Sequence, residues 1–159
     1  MLAGQAQPDG KLEAQLHRLF PAATSFSPKE GNPPHFTAYS SDPKTQMPAV
    51  QGYAWWTTEL EPLERAYDGP IKILVGMDTK GMLSGVIVVE HHEPYGSFSI
   101  EPPAFAEQFK GKSIRDAFKV GADIDAVSRA TISVTSASRA IRNSARRIAR
   151  ELLTPEAVK

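Results

Sequence analysis

Two apolar segments joined by a short polar turn constrain the fold of this chain most strongly. Residues 71–77 are mostly apolar, and residues 82–90 are rich in valine and isoleucine. Between them lies a turn-forming segment, Asp78-Thr-Lys-Gly81, that ends in glycine. The pattern predicts a β-hairpin. A third segment, 51–59, is rich in aromatic and β-branched residues, which extends the prediction to an antiparallel meander.

Amphipathic helices are predicted near both ends of the chain. Residues 10–20 carry leucines at helical spacing, and Pro21 ends the pattern. A longer helix is expected to begin at a cap on Thr135 or Ser136 and to end near Leu153. Arginines occupy its other, solvated faces. Its apolar positions recur every three or four residues, at Ile141, Ala145, Ile148 and Leu152.

The remaining segments give weaker signals. Residues 21–48 contain many prolines, and we expect an ordered, extended wrap without regular secondary structure. After Pro94 we expect irregular chain until a short helix over 103–109. A further helical turn is predicted for 113–119.

These elements predict one α+β domain with a mainly antiparallel sheet packed against N- and C-terminal helices. The helix and wrap occupy residues 1–50, and the core occupies 51–159. Basic and acidic residues number 18 each, so no net charge attracts nucleic acid. The chain has no cysteine, which excludes disulfides and thiolate-bound metals or clusters. No apolar run approaches the roughly 20 residues of a membrane span.

A hydroxyl-rich segment precedes the C-terminal helix. Six of the eleven residues from Ser128 to Ser138 are serine or threonine. Such residues are typical of a helix entry with capping hydroxyls. They are also typical of a phosphate site, because a helix N-terminus favours anions. Arg129 could neutralise a phosphate oxygen there.

This segment resembles the signature of the FMN-binding domain family. The family pattern is Asp-x-x-Ser/Thr-Gly-Ala-Thr, followed shortly by serine or threonine. The matching residues are Asp125, Ser128, Ala130, Thr131 and Ser133. The departure is Arg129, where most members have glycine, a residue that permits a positive φ.

Other segments resemble one branch of that family, the extracytoplasmic domain of the NosR/NirI-type proteins of nitrous oxide respiration. They run in order from position 20 to position 133. They include Phe20-Pro21-Ala22-Ala23, Pro28-Lys29-Glu30-Gly31-Asn32-Pro33-Pro34, Gly52-Tyr53-Ala54, Gly69-Pro70-Ile71, Val75-Gly76-Met77-Asp78, Glu90-His91-His92-Glu93-Pro94 and Gly111-Lys112. The resemblance implies a periplasmic or extracytoplasmic location, in a soluble domain taken from a larger membrane protein.

The resemblance further implies FMN covalently attached to Thr131. In the family, a flavin transferase moves FMN from FAD onto the threonine hydroxyl, which makes a phosphoester. Asp125 and Ser128 are then recognition elements or turn formers, and Arg129 is a partner for the phosphate. The implied role is electron transfer with no catalytic residue. The implied partners are membrane-bound electron donor modules and nitrous oxide reductase or its assembly factors.

The resemblance also suggests which residues lie near the flavin ring. The loop after the strand makes Glu93, Pro94 and Tyr95 candidates, with His91 or His92 as a hydrogen-bond partner. Lys112 matches a basic residue common near the site. A metal site at the two histidines is not expected, because adjacent residues in a strand point to opposite faces. Three aromatic residues, at Tyr53, Trp55 and Trp56, are interpreted as core in preference to a stacking surface.

Two alternative functions stay open from the sequence. The first is a sensor or assembly module of the same fold, without obligatory covalent flavin. The second is a flavin-dependent reductase with its own substrate, which needs a cavity and a positioned proton donor beside the ring. We expect a redox carrier domain rather than a self-contained enzyme.

Overall fold

The computed structural model describes residues 9–155, so the first eight and last four residues of the predicted domain lie outside the described part. Five strands form one antiparallel sheet in chain order, which confirms the predicted α+β class. The elements are α1 (Gly10–Leu19), β1 (Ser25–Phe26), β2 (Phe36–Ser41), β3 (Pro48–Trp56), α2 (Thr57–Leu60), β4 (Lys72–Asp78), β5 (Leu83–Glu90), α3 (Gly96–Ser99), α4 (Pro103–Glu107) and α5 (Thr131–Leu152). No helix among the described residues is both long enough and apolar enough to cross a membrane.

The predicted hairpin is present as β4 and β5. The side chain of Asp78 organises its turn by accepting hydrogen bonds from the backbone N–H groups of Lys80 and Met82, at 2.8 and 3.0 Å. Gly81 has a φ of 84°, which explains why glycine ends the turn. Strand β3 ends earlier than predicted, at Trp56, because the chain turns into α2.

The interpretation of residues 21–48 as a wrap without strands is wrong. Strand β2 pairs with β3 from Phe36 opposite Ala54 to Ser41 opposite Pro48, and β1 pairs with β2. The prolines that dominate this segment lie outside β2, mostly in the turns on either side. One of these turns contains a cis peptide bond between Asn32 and Pro33.

The helices cover opposite faces of the sheet. Asp9 caps α1 by accepting a hydrogen bond from the backbone N–H of Leu12, at 2.8 Å. Apolar residues of α1 pack on one face in a cluster of Leu16, Leu19, Phe20, Ala23, Phe36, Ala38, Ala54, Leu74 and Ile87. A larger cluster on the other face includes Val134, Ala137, Ile141, Ala145, Ile148 and Ala149 of α5. Each face therefore has its own hydrophobic core.

Helix α5 begins at Thr131, four residues before the predicted cap. The backbone N–H of Val134 already donates to the carbonyl of Ala130, at 3.0 Å. The Ser136 hydroxyl does not cap the helix, because it donates to the carboxylate of Glu64, at 2.9 Å. Alanine at the N-cap position gives no side-chain signal, so the sequence pattern pointed to a later start.

Two predictions between β5 and α5 are also wrong. Residues 96–99 form the short helix α3, within a stretch expected to be irregular. Residues 113–119 form turns rather than a helix. The Asp116 carboxylate binds the backbone N–H of Ser113, and Phe118 has a φ of 52°, which a right-handed helix cannot accommodate.

One arginine of α5, Arg146, is not simply exposed to solvent but binds a neighbouring loop. Arg146 donates to the carbonyl oxygens of Ile114 and Asp116, at 2.9 and 2.8 Å, and so fastens the 113–119 loop to the helix. Burial, followed by the charges of neighbouring Arg142 and Arg150, lowers the pKa of Arg146 from its ordinary value.

Candidate functional site

The segment before α5 forms a tight turn. The backbone N–H of Ala130 donates to the carbonyl of Val127, at 3.1 Å, and Arg129 has a φ of +70°. A positive φ at the third position is the geometry of a type II turn, which favours glycine there. The backbone thus keeps the shape that the family glycine supports, although the residue is arginine.

The first turn of α5 offers unpaired hydrogen-bond donors. Ala130 has no side chain that can cap the helix. Among residues 9–155, no acceptor faces the backbone N–H groups of residues 131–133. These N–H groups and the helix dipole place about half a positive charge at this end of the helix. Thr131 is exposed, so its hydroxyl is accessible at the same point.

A cleft of about 410 Å³ opens beside this turn. Three segments that are distant in sequence form it: the loop between α2 and β4, the loop after β5, and the start of α5. Its lining residues are Tyr67, Pro94, Tyr95, Arg129, Ala130, Thr131, Ile132 and Ser133. The walls therefore combine aromatic and aliphatic groups with one cation and the hydroxyl-bearing side chains of two tyrosines, one threonine and one serine.

Glu93 lies behind the cleft rather than in its lining. It is 7% exposed. Its carboxylate accepts hydrogen bonds from the backbone N–H groups of Tyr67 and Asp68, at 3.0 and 2.9 Å, and from the Ser133 hydroxyl, at 2.5 Å. The side chain joins two walls of the cleft instead of facing its interior.

His91 orients the backbone of this loop. Its Nδ1 accepts a hydrogen bond from the backbone N–H of Glu93, at 3.0 Å. Its Nε2 lies 3.0 Å from a carboxylate oxygen of Glu101, which fixes the tautomer with the proton on Nε2. Gly96 packs directly against the ring, since an added Cβ there would overlap Cε1 of His91.

The second histidine points elsewhere. His92 is exposed and lies 4.0 Å from a carboxylate oxygen of Glu90. Neither His91 nor His92 lines the cleft. Within residues 9–155, no group of three or more histidine, aspartate or glutamate side chains is arranged to hold a metal ion.

Three other residues proposed from the sequence lie outside the lining of the cleft. Asp125 and Ser128 are exposed on the approach to the turn, and the backbone N–H of Asp125 donates to the Gln108 side chain, at 2.7 Å. Lys112 is half-buried and lies 3.4 Å from the Asp123 carboxylate. These residues shape the segment that leads to Thr131.

The carboxylate of Asp123 organises the segment that leads to Thr131 by accepting several hydrogen bonds. Burial raises the pKa of its carboxyl, but hydrogen bonds from the backbone N–H groups of Lys119 and Phe118, together with Lys112, outweigh this and lower the pKa overall. The charged carboxylate thus holds the loop that turns from Phe118 towards the cleft.

The aromatic residues of β3 lie away from the cleft. Trp55 is fully buried, and its indole N–H donates to the Ser144 hydroxyl, at 2.8 Å. Trp56 packs with the opposite core and beneath the Lys72 ammonium, which lies 4.5 Å from the ring centroid. Burial, and then the nearby Tyr39, raises the pKa of Tyr53. The interpretation of Trp55 as core is confirmed.

Sequence reasoning missed two residues in the lining of the cleft. Tyr67 lies in the acidic connection between α2 and β4, and Ile132 follows Thr131. They are 69% and 55% exposed, which is unusual for large side chains of these types. For the wall formed by the loop between α2 and β4, the only sequence signal available was a lone tyrosine beside Asp68 and Gly69.

Comparison with known proteins shows which family this region of the chain matches. Residues 66–146 match the FMN-binding domain family, a span of just over half the chain that contains every residue lining the cleft. The subunit designated G in the ion-translocating oxidoreductase complex of Haemophilus influenzae strain ATCC 51907 / DSM 11121 / KW20 / Rd is 47% identical over 47 residues. Its counterpart in strain PittEE is 45% identical over 47 residues.

Each of these two matches covers 30% of this chain and 21% of the relative, so the similarity spans about a fifth of each relative. The family match is broader. It begins one residue before Tyr67 and includes the turn at Arg129 and most of α5. Because the match extends over just over half of the chain, the chain belongs to the FMN-binding domain family.

Proposed function

We propose that the chain is an electron-transfer domain that holds FMN in this cleft through a phosphoester to Thr131. The observation that carries the proposal is the position of Thr131, whose exposed hydroxyl lies at the first residue of α5 and in the lining of the cleft. A threonine in the interior of the helix would lack the adjacent unpaired N–H groups, which occur only in the first turn.

The residues of the cleft fit the two parts of FMN. The N–H groups of residues 131–133 and the guanidinium of Arg129 suit a phosphate. No carboxylate among residues 9–155 lies within ion-pair distance of Arg129, so its charge is available. Tyr67, Tyr95 and Ile132 supply aromatic and aliphatic surface for the ring. Bound FMN supplies one- and two-electron transfer, and the protein supplies orientation.

Among residues 9–155, the lining of the cleft beside Thr131 contains no histidine, aspartate or glutamate that could activate its hydroxyl. An ordinary hydroxyl is a weak nucleophile. We therefore infer that a flavin transferase supplies the base. The threonine oxygen forms the bond to the FMN phosphorus of FAD, the bond to AMP breaks, and the hydroxyl proton passes to the transferase.

The proposed partners are membrane-bound electron donors and an acceptor outside the cytoplasm. The relatives are named as parts of an ion-translocating oxidoreductase complex, and the segments from Phe20 to Ser133 resemble the nitrous oxide respiration branch. Of these two kinds of redox system, we propose the second: the domain supports the activity or maturation of nitrous oxide reductase in the periplasm. A tether suits such a compartment, because it makes rebinding of a dissociated flavin intramolecular.

A flavin-dependent reductase is less well supported. Such an enzyme needs a proton donor positioned beside the ring. The two histidines that the sequence offered for this role do not line the cleft. Electron transfer needs no such group.

The test of attachment is coexpression of the chain with a flavin transferase, followed by mass measurement of the peptide that contains Thr131. We expect the mass of FMN, less one water, on this peptide. Thr131→Ala should abolish the attached flavin completely, while its free energy of unfolding changes by no more than about 0.5 kcal/mol, because the side chain is exposed. Thr131→Ser is the matched control and should retain attachment.

An unmodified wild-type peptide, despite an active transferase, would refute covalent attachment. The biological role needs a separate test in a strain that expresses the full-length protein. If Thr131→Ala in that protein leaves nitrous oxide reduction intact, the proposed link to nitrous oxide respiration is wrong.

A further inference from the structure

We propose that Glu93 is the positioning residue of the cleft and holds Tyr67 opposite the first turn of α5. The inference rests on the proposed function for its meaning, since it concerns the shape of the flavin site. The contacts themselves belong to the chain without flavin. Because Glu93 is buried behind the lining, its carboxylate acts through Tyr67 and Ser133 rather than on the flavin.

The carboxylate joins two segments that are distant in sequence. One oxygen, Oε1, accepts from the Tyr67 backbone and the Ser133 hydroxyl, which are 26 and 40 residues from Glu93. The other oxygen, Oε2, accepts from the backbone N–H of Asp68. A carboxylate accepts at both oxygens, whereas the amide of glutamine replaces one acceptor with a donor. Glutamine therefore has the same shape but cannot make the same set of bonds.

The surroundings of Glu93 suit a buried negative charge. Ser133 is the third residue of α5, so the carboxylate lies near the positive end of the helix dipole. Two backbone N–H groups and one hydroxyl satisfy it, and no cation is needed. His91 orients the backbone at Glu93, because its Nδ1 accepts a hydrogen bond from the backbone N–H of Glu93.

Tyr67 depends on this anchor. Its side chain is 69% exposed, so packing holds it only weakly, and its backbone N–H is bound by Glu93. The loop from Ala66 to Gly69 is otherwise closed by a hydrogen bond between those two residues, at 2.8 Å. Loss of the Glu93 acceptor should therefore free the Tyr67 wall while the sheet and α5 stay in place.

The first test needs no flavin. Hydrogen–deuterium exchange is measured on the full chain for Glu93→Gln and for the matched control Glu90→Gln, which changes an exposed carboxylate on the adjoining strand. We expect the Tyr67 and Asp68 amides to exchange at least about tenfold faster in Glu93→Gln only. Unchanged exchange at these amides, or equal acceleration throughout β4 and β5, would overturn the proposal.

The second test uses the flavin-loaded chain and its fluorescence. A tyrosine ring in contact with a flavin quenches its emission, so Tyr67→Leu should increase the emission. Glu93→Gln should increase it in the same direction, and the double variant should match Tyr67→Leu because both changes remove one contact. Additive increases, or no increase in Glu93→Gln, would contradict a positioning role.

The two tests separate the two proposals. A wild-type chain that never takes up flavin would count against the proposed function. The exchange measurement would still decide whether Glu93 holds the Tyr67 loop.

Discussion

The two ends of α5 are stabilised in different ways. From Ala137 to Ala149 the helix is held by apolar packing in the larger core. Its first turns bury Val134 in the same core but are also held by carboxylates from neighbouring loops, which accept hydrogen bonds from the hydroxyls of Ser133 and Ser136. Apolar packing on all sides would have buried the N-terminal turn. The side-chain hydrogen bonds instead hold it on the side away from the cleft. The comparison shows how a helix can be rigid at an end whose N–H groups remain available.

The largest effect on stability should come from the packed end. Ile141 is fully buried, so Ile141→Ala should lower the free energy of unfolding by about 2–4 kcal/mol through lost burial and a residual cavity. The matched control is Ile132→Ala, the same change at the exposed end, with an expected effect within about 0.5 kcal/mol. Urea unfolding measures both. Similar losses in the two variants would contradict the distinction between the ends.

A smaller and pH-dependent effect is expected at Glu64, which joins the loop after α2 to Ser136 and Arg139. The hydrogen bond from Arg139 is the main cause that lowers the pKa of Glu64, against an opposing effect of burial. Because the folded pKa is depressed, the stabilisation is complete above the unfolded pKa of about 4.3 and is lost as pH falls through the folded pKa. Glu64→Gln should therefore be less stable than wild type by about 1 kcal/mol near pH 7.

That difference should disappear in acid, as the pH falls through the lowered folded pKa of Glu64 and the wild-type carboxyl takes up its proton. Unfolding curves at several pH values provide the measurement. Glu107→Gln, an exposed carboxylate on α4, is the control and should show no such trend. A difference between Glu64→Gln and wild type that is constant with pH would mean that ionisation of Glu64 does not contribute.

The smallest effect should come from Arg129, and it should be stabilising. Arg129→Gly relieves a left-handed backbone conformation that is unfavourable for a residue with a Cβ, so we expect a gain of about 0.5–1 kcal/mol. Arg129→Ala removes the guanidinium but keeps the Cβ, and its stability should stay near that of wild type. Flavin attachment should persist in both variants, because Thr131 and the helix N–H groups remain. Loss of attachment in both would assign the phosphate chiefly to the guanidinium.

Local signals predicted the parts of this molecule that are formed by neighbouring residues. The hairpin followed from two apolar runs around Asp78 and Gly81, and the FMN-binding family followed from a resemblance that includes the contiguous segment 125–133. The start of α5 was missed because alanine at the cap position carries no hydroxyl. Strand β2 was missed because prolines in the flanking turns dominated its sequence window.

The rest of the site depends on contacts between distant residues. Nothing near Tyr67 in the sequence indicates that Glu93, 26 residues later, binds its backbone. The resemblance named Glu93, Pro94 and Tyr95 as candidates near the ring, and Pro94 and Tyr95 line the cleft whereas Glu93 does not. Burial of the carboxylate and the positions of its three donors become apparent only when the sheet brings the loops together.

The tight contact between Gly96 and the ring of His91 has a consequence for how the domain tolerates change. A methyl group at position 96 would displace the imidazole, since there is no room for a Cβ. The displaced imidazole would withdraw the acceptor that orients the Glu93 backbone. One added carbon at a residue outside the cleft would thus disturb, through two successive neighbours, the carboxylate that joins two walls of the cleft.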